Sequence, residues 1–170
     1  QSIIFRYDGT SQRWRNASPD SPRIVQVVNT QTGAVATTTT TIPWDDTIPQ
    51  NTEGGEFLTL AITPSSVNSK LFIEVVAILS PSVAAEVIGA LFQDAIASAL
   101  AVSVHYMPNG TGVVTIVLRH YMPAGTTSAT TFKFRAGMNN AGTLTRNGDS
   151  GSRIMGGVMA SSMTITEIKA

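Results

Sequence analysis

Short segments that alternate between apolar and polar residues run through most of this chain, and turn-forming residues separate them. The segment 70–79 is the clearest example, because its odd and even positions divide into two sets of largely apolar side chains. A period of two is typical of β-strands, whose successive side chains point to opposite faces of a sheet. About eight to ten such segments predict an all-β fold, an antiparallel β-sandwich that is jelly-roll-like.

The surface of this sandwich carries few charges. Charged residues make up only 13% of the chain, against about 25% in average soluble domains. Hydroxyl side chains replace them, since the chain contains 22 Thr and 16 Ser, five of them in the unbroken run Thr37 to Thr41. A low charge content is also expected where copies of a chain pack together, because charge is depleted at the centres of protein interfaces.

Charge and composition exclude several classes of partner. Eleven basic residues balance eleven acidic ones, so the cationic field that attracts nucleic acid or anionic lipid is missing. The longest mostly apolar stretch, residues 95–104, is too short to span a bilayer as a helix. The absence of Cys excludes disulfides and thiol chemistry. We therefore expect no nucleic-acid partner and no membrane insertion.

No enzymatic template fits the chain. The motifs for a nucleophile elbow, a zinc protease, a P-loop and a dinucleotide fold are all missing. The densest acidic cluster, Asp45, Asp46, Glu53 and Glu56, lies in and directly after a long irregular connection at residues 43–55. Adjacent carboxylates in an extended loop point in different directions, so hydrogen bonding to the loop backbone is the favoured interpretation. The sequence predicts no catalytic residue, no metal site and no cofactor.

A series of short sequences, taken in order, resembles the C-terminal module of tailed-bacteriophage tail fibres and tailspikes. The resemblance covers about residues 37–170 and is carried mainly by Pro43-Trp44-Asp45-Asp46-Thr47-Ile48-Pro49-Gln50, Ala90-Leu91-Phe92-Gln93-Asp94, Thr131-Phe132-Lys133-Phe134-Arg135-Ala136-Gly137 and Thr164-Ile165-Thr166-Glu167-Ile168. It implies a β-sandwich, a homotrimer, and a place on the virion, exposed to the extracellular medium. It also implies a function in host attachment or in trimerisation of the fibre.

The resemblance also bears on two points that the residues leave open. Residues 83–104 are read either as an Ala-rich helix, from a four-residue recurrence, or as two strands. Strands are favoured because the Ala-Leu-Phe segment looks like strand in the resembled modules. Residues 1–35 are expected to form a β linker or distal shaft segment, and residues 36–170 the β-sandwich tip domain.

The predicted function is a non-enzymatic tip that trimerises the fibre and binds a host-surface glycan, with bacterial surface polysaccharide or lipopolysaccharide as partner. The alternative is a purely structural trimerisation or capsid-decoration module without ligand. Aromatic rings stack on sugar rings, and amide side chains form hydrogen bonds with sugar hydroxyls. The candidate ligand-binding residues are therefore Trp44, Asn109, Asn139, Asn140 and Asn147. Asp45, Asp46, Glu53 and Arg135 are expected to serve structure or subunit contact. For Arg135 we expect a carboxylate partner, either Glu53 or Glu167.

Overall fold

The computed structural model describes residues 5–10, 13–16 and 23–169. The strands among them are, in chain order, β1 (Phe5–Asp8), β2 (Arg13–Asn16), β3 (Ile24–Thr32), β4 (Ala36–Thr38), β5 (Gly55–Ile62), β6 (Lys70–Pro81), β7 (Ala85–Gln93), β8 (Ala101–Met107), β9 (Val114–Pro123), β10 (Thr130–Met138), β11 (Leu144–Arg146), β12 (Gly148–Asp149), β13 (Ser152–Arg153) and β14 (Ser161–Ile168). A single 3-10 turn, Met155–Gly157, is the only helical element of the described part. No helix there is long and apolar enough to cross a membrane.

Two antiparallel sheets form the sandwich. The larger sheet has the order β3-β14-β6-β11-β4, with β9 paired to the other side of β6. The smaller sheet has the order β5-β10-β7-β8. Every strand pair in the described residues is antiparallel. The all-β antiparallel sandwich predicted from the alternating segments is therefore confirmed.

The core lies between the two sheets. Alternate residues of β6 point into it, namely Leu71, Ile73, Val75, Ala77 and Leu79, and all five are completely buried. The facing sheet supplies aromatic rings of β10. Full burial of a large apolar side chain contributes roughly 1.5–3 kcal/mol. The period-two pattern of β6 thus determines that the segment forms a strand and which of its two faces points toward the core.

The segment 83–104 forms two strands, β7 and β8, and not a helix. Between them the chain turns at Asp94, which has a φ of 51°. The helix-like pattern has a physical cause, because β7 is buried on both faces. Its inner residues enter the main core, while Ile88, Ala90 and Phe92 join Ile42 in a second apolar cluster on the outer side of the smaller sheet. A strand that is buried on both faces shows a nearly continuous run of apolar residues instead of an alternating pattern.

The predicted division of the chain at residue 35 falls within the larger sheet. β3 pairs with β14 along its whole length, from Ile24 opposite Ile168 to Thr32 opposite Ser161. Residues 24–32 are therefore part of the sandwich and not of a separate linker. The turn sequence Asp8-Gly9 between segments 3–7 and 13–15 predicts an N-terminal hairpin, and the pairing of β1 with β2 confirms it. Residues 3 and 4 of the first segment lie outside the described residues.

Four Gly and four Asn or Asp residues in 136–152 predict a loop, and this prediction is wrong in part. β10 continues to Met138, and β11 inserts between β4 and β6 as an interior strand of the larger sheet. All three residues of β11 are buried. The many Gly and Asn residues of this region therefore mark sharp turns between short buried segments.

Candidate functional site

The connection 39–54 lies across the outer side of the smaller sheet. Ile42 anchors it through its side chain in the second apolar cluster and through its N–H, which donates to the Met138 carbonyl at 3.0 Å. Further along, the Pro49 carbonyl accepts a hydrogen bond from the N–H of Ala99 at 2.9 Å. The connection is thus fixed at several points, as its two prolines also favour.

Arg135 holds the end of this connection. Its Nε donates to the Glu53 carbonyl at 2.8 Å and its Nη2 to the Gly54 carbonyl at 2.7 Å, while Nη1 lies 3.5 Å from a carboxylate oxygen of Glu56. Its side chain is largely buried. The expected carboxylate partner, Glu53 or Glu167, is therefore corrected to Glu56, and Glu53 contributes its main-chain oxygen instead.

The acidic residues of the connection organise its turns. Asp45 accepts hydrogen bonds from the Thr47 hydroxyl at 2.5 Å and from the Thr47 N–H at 2.9 Å, and these bonds lower the pKa of Asp45. Glu53 accepts from the Gln50 N–H at 2.9 Å and donates its own N–H to the Gln50 carbonyl. Asp46 is exposed. Asp45 and Glu53 therefore act within the loop, in the way that the sequence predicts for this cluster.

Trp44 is the most prominent side chain of the connection. Its ring is 61% exposed and borders a shallow depression of about 270 Å³ whose other lining residues are Asp45 and Asp46. An exposed aromatic face beside carboxylates can stack on the apolar face of a sugar while the oxygens accept bonds from its hydroxyls.

Three of the predicted ligand asparagines lie at one end of the sandwich. Asn109 is exposed in the turn between β8 and β9. Asn139 accepts from the Glu86 N–H at 2.9 Å, and Asn140 donates to the Ala84 carbonyl at 2.9 Å. Both therefore fasten the loop to β7 and its preceding turn. None of the three lines the depression at Trp44.

Asn147 is not a surface residue. It is completely buried, and its amide nitrogen donates to the Thr32 carbonyl at 2.6 Å and to the Ala34 carbonyl at 3.2 Å. Its amide oxygen accepts from the Ser161 hydroxyl at 2.7 Å. Its assignment as a ligand contact is therefore corrected, since Asn147 ties the chain between β3 and β4 to β14.

Two apolar surface patches are exposed at the edge strands β8 and β9, and no sequence motif marks them. The face patch lies on the outer side of the larger sheet and consists of Phe72, Val76, Ile78, Val117 and Tyr121. The edge patch lies on the outer side of β8 and consists of Val102, Val104 and Tyr106. Tyr121 and Tyr106 are 56% and 58% exposed. Alternation along β8 and β9 could have located both patches once the inward residues were known.

The acidic and histidine side chains do not converge. No group of three or more of them that could hold a metal ion occurs in residues 5–10, 13–16 and 23–169. His105 and His120 lie on different sheets, and burial lowers the pKa of His120.

The fold and the exposed patches define a β-sandwich module with apolar surface at its β8–β9 side. Residues 39–170 match the family model of the Pgp3 C-terminal domain, and the chain belongs to that family. No curated protein sequence matches it.

This family membership corrects the resemblance to phage tail fibres and tailspikes, which is wrong. The Pgp3 family is that of a plasmid-encoded Chlamydia protein. The predicted function as a tail-fibre tip and the predicted location on a phage virion are wrong for the same reason.

Several solved structures match this chain at low similarity. A β-(1,4)-mannanase of Podospora anserina has 16% identity and a TM-score of 0.35, over 85% of this chain and 28% of the mannanase. The C-terminal domain of EclA, a sugar-binding protein, has 15% identity and a TM-score of 0.34, over 94% of this chain and 93% of that domain. The tailspike protein 4 of bacteriophage CBA120 has 16% identity and a TM-score of 0.32, over 72% of this chain and 19% of the tailspike.

Proposed function

We propose that this chain is a non-enzymatic assembly module that forms a homotrimer through the face patch and the edge patch. The observation that carries the proposal is the position of these patches. They lie on opposite outer sides of the sandwich, next to the same open side, where β8 and β9 each have a partner strand on one side only among the described residues.

The register of the strands defines the face patch. Tyr121 lies opposite Phe72, and Val117 lies opposite Val76, so the apolar side chains form rows across β9 and β6. Between these rows Arg119 donates to Glu74 at 2.6 Å. Because the two charges neutralise each other within the patch, a second copy can cover it without leaving an unpaired charge.

The edge patch is suited to contact with a second copy for another reason. β8 has no Lys, Arg, Asp or Glu, and its outward residues Val102, Val104 and Tyr106 are all exposed. Soluble proteins usually protect such edges with charges or prolines, because an uncharged edge strand invites pairing or association. A defined contact with another copy removes this liability.

The arrangement favours a ring of three. If the face patch of one copy meets the edge patch of the next, the contact is between two different surfaces. The two patches face opposite sides of the sandwich, so one neighbour does not cover both of them, and the smallest closed ring of such contacts has three members. The zero net charge of the chain adds no long-range repulsion between copies.

Light scattering after size exclusion tests this with one substitution in each patch. We expect V117D and V104D each to reduce the assembled mass to that of smaller species, because a carboxylate would be buried without a partner. V158D, on an exposed loop outside both patches, is the matched control and should leave the assembly unchanged. Unchanged mass in both patch variants would contradict the proposal.

A second candidate function, contact with a surface polysaccharide, is favoured by the exposed Trp44 on its fixed loop. The expected readout is loss of signal on a glycan array with W44A, while the matched loop variant I48A binds as before. A native chain that binds no glycan on the array would exclude this function and leave the assembly proposal untouched.

A further inference from the structure

We infer that a pocket at one end of the sandwich binds a small anion that carries hydroxyl groups, such as a sugar acid. This end lies opposite the β8–β9 turn. The pocket has a volume of about 400 Å³ and lies where β3 begins, β14 ends and the β5–β6 connection, residues 63–69, passes over them. Its lining residues are Arg23, Val25, Ser65, Ser66, Asn68, Ser69 and Lys169.

Two basic residues are brought together by the pairing of strand ends. The Lys169 N–H donates to the Arg23 carbonyl at 2.9 Å, which continues the β14–β3 ladder past Ile168. Arg23 and Lys169 therefore enter the same pocket although 145 positions separate them in the sequence. Their placement is fixed by the sheet and not by a flexible loop.

The pocket wall opposite these cations is built from hydroxyl and amide groups. Ser65, Ser66, Asn68 and Ser69 follow one another closely in the β5–β6 connection, whose turn is closed by the Ser69 N–H donating to the Ser66 carbonyl at 3.1 Å. The main-chain N–H and hydroxyl of Ser65 both bind Glu167 behind the wall. The wall is thus anchored before any ligand arrives, which lowers the ordering cost of binding.

Ser69 lies between the pocket and the buried carboxylate of Glu167. It lines the pocket and is only 1% exposed, and its hydroxyl interacts with Glu167 without the geometry of a full hydrogen bond. A hydroxyl has two acceptor lone pairs besides its donor. Ser69 can therefore accept a hydrogen bond from a ligand hydroxyl while its own O–H faces Glu167.

The charges of the pocket select an anion. Arg23 and Lys169 line the pocket with basic side chains, and the carboxylate of Glu167 behind the wall is already bonded to Ser65 and Gln26. Arg binds carboxylate or sulfate groups through paired N–H donors. The hydroxyl and amide groups then match ligand hydroxyls, and the volume lies in the lower part of the range for small-molecule sites, roughly 300–1,000 Å³.

Four small molecules distinguish the contribution of the ligand's negative charge to binding from that of its hydroxyl groups. Isothermal titration calorimetry of the 170-residue chain at low salt would use glucuronate and N-acetylneuraminate as sugar acids, glucose as the neutral match, and acetate as the bare anion. We expect both sugar acids to bind more tightly than glucose and acetate, with affinity that falls as salt is added.

Variants then locate the binding. R23Q should weaken glucuronate binding about tenfold or more, the loss of one charge-assisted hydrogen bond. S69A should weaken it to a smaller extent. R153Q is the matched control, since Arg153 is an exposed arginine on β13, near the other end of β3. The inference is overturned if neither sugar acid binds, if glucose or acetate binds equally well, or if R23Q binds like the native chain.

Discussion

Glu167 accepts two hydrogen bonds from Ser65, one from its main-chain N–H at 2.9 Å and one from its hydroxyl at 2.6 Å. A third bond, from the Gln26 amide at 2.6 Å, satisfies the other carboxylate oxygen. Glu167 is completely buried. Burial alone would raise its pKa, but the hydrogen bonds outweigh burial and lower the pKa of Glu167 to about 2. The last strand is thereby joined to β3 and to the β5–β6 connection.

Ionisation of the Glu167 carboxylate makes the stability of the fold depend on pH. Because its pKa is lower in the folded chain than the ordinary 4.5, ionised Glu167 stabilises the fold above pH 4.5, and this contribution is lost as the pH falls toward about 2. We expect E167Q to lower the free energy of unfolding at pH 7 by on the order of 3 kcal/mol, and the difference from the native chain to vanish near pH 2. Urea unfolding across this pH range measures it.

The matched control for this prediction is D46N, which removes an exposed carboxylate outside both patches. Substitutions at exposed positions usually change the free energy of unfolding by no more than about 0.5 kcal/mol. A constant difference between E167Q and the native chain from pH 7 to pH 2 would show that the charge of Glu167 does not matter.

Arg135 is expected to stiffen the connection that carries Trp44. R135Q removes the donors to the Glu53 and Gly54 carbonyls and should destabilise the fold by about 1–3 kcal/mol. Amide hydrogen exchange in residues 43–54 should accelerate by more than exchange in β6. K133Q serves as control, because Lys133 shares Glu56 at 3.2 Å but appears in none of the bonds to loop carbonyls. Equal rates of amide exchange in residues 43–54 of R135Q and K133Q would show that Arg135 does not stiffen the connection.

Gly54 is required by both conformation and space. Its φ is 62°, and a Cβ added there would lie 2.8 Å from the Ala136 carbonyl oxygen. Gly125 has a similar φ of 66° but open space around it. We expect G125A to cost about 1–2 kcal/mol from conformation alone, and G54A to cost clearly more. Thermal unfolding of the two variants compares them, and equal losses would mean that the close approach at Gly54 is without consequence.

Local patterns were sufficient for the sandwich but not for its buried polar residues. The alternation in β6 predicts its inward set, and the turn near Asp94 separates β7 from β8 as expected. Asn147 was missed because its partners, Thr32 and Ala34, are more than a hundred residues away, and nothing local distinguishes it from a surface-loop asparagine. Its φ of 56° also makes it look like a turn residue.

The functional surfaces were harder to predict for a related reason. Trp44 could be identified because a Trp beside prolines is conspicuous, and it is exposed. The pocket at Arg23 and Lys169 could not, because strand pairing alone brings these residues together. Short turn and strand sequences recur in many sandwiches, which is why their ordered series pointed to the wrong family.

Mixing two variants distinguishes a contact between different patches from a contact between like patches. V117D keeps an intact edge patch, and V104D keeps an intact face patch. If the contact joins face to edge, the two variants should form a one-to-one complex when mixed, although neither assembles alone. Native mass spectrometry with one isotopically labelled variant detects this complex. Homodimers of one variant would mean that the contact is between like patches, and two monomers after mixing would mean that face and edge patches do not meet.

The central claim is that three copies of the chain form a closed ring. Sedimentation equilibrium of the native 170-residue chain at micromolar concentration tests it most directly. We expect a single species with three times the 17.9 kDa mass of one chain, unchanged over a broad range of concentration. A stable monomer, or a dimer that does not grow further, would contradict it.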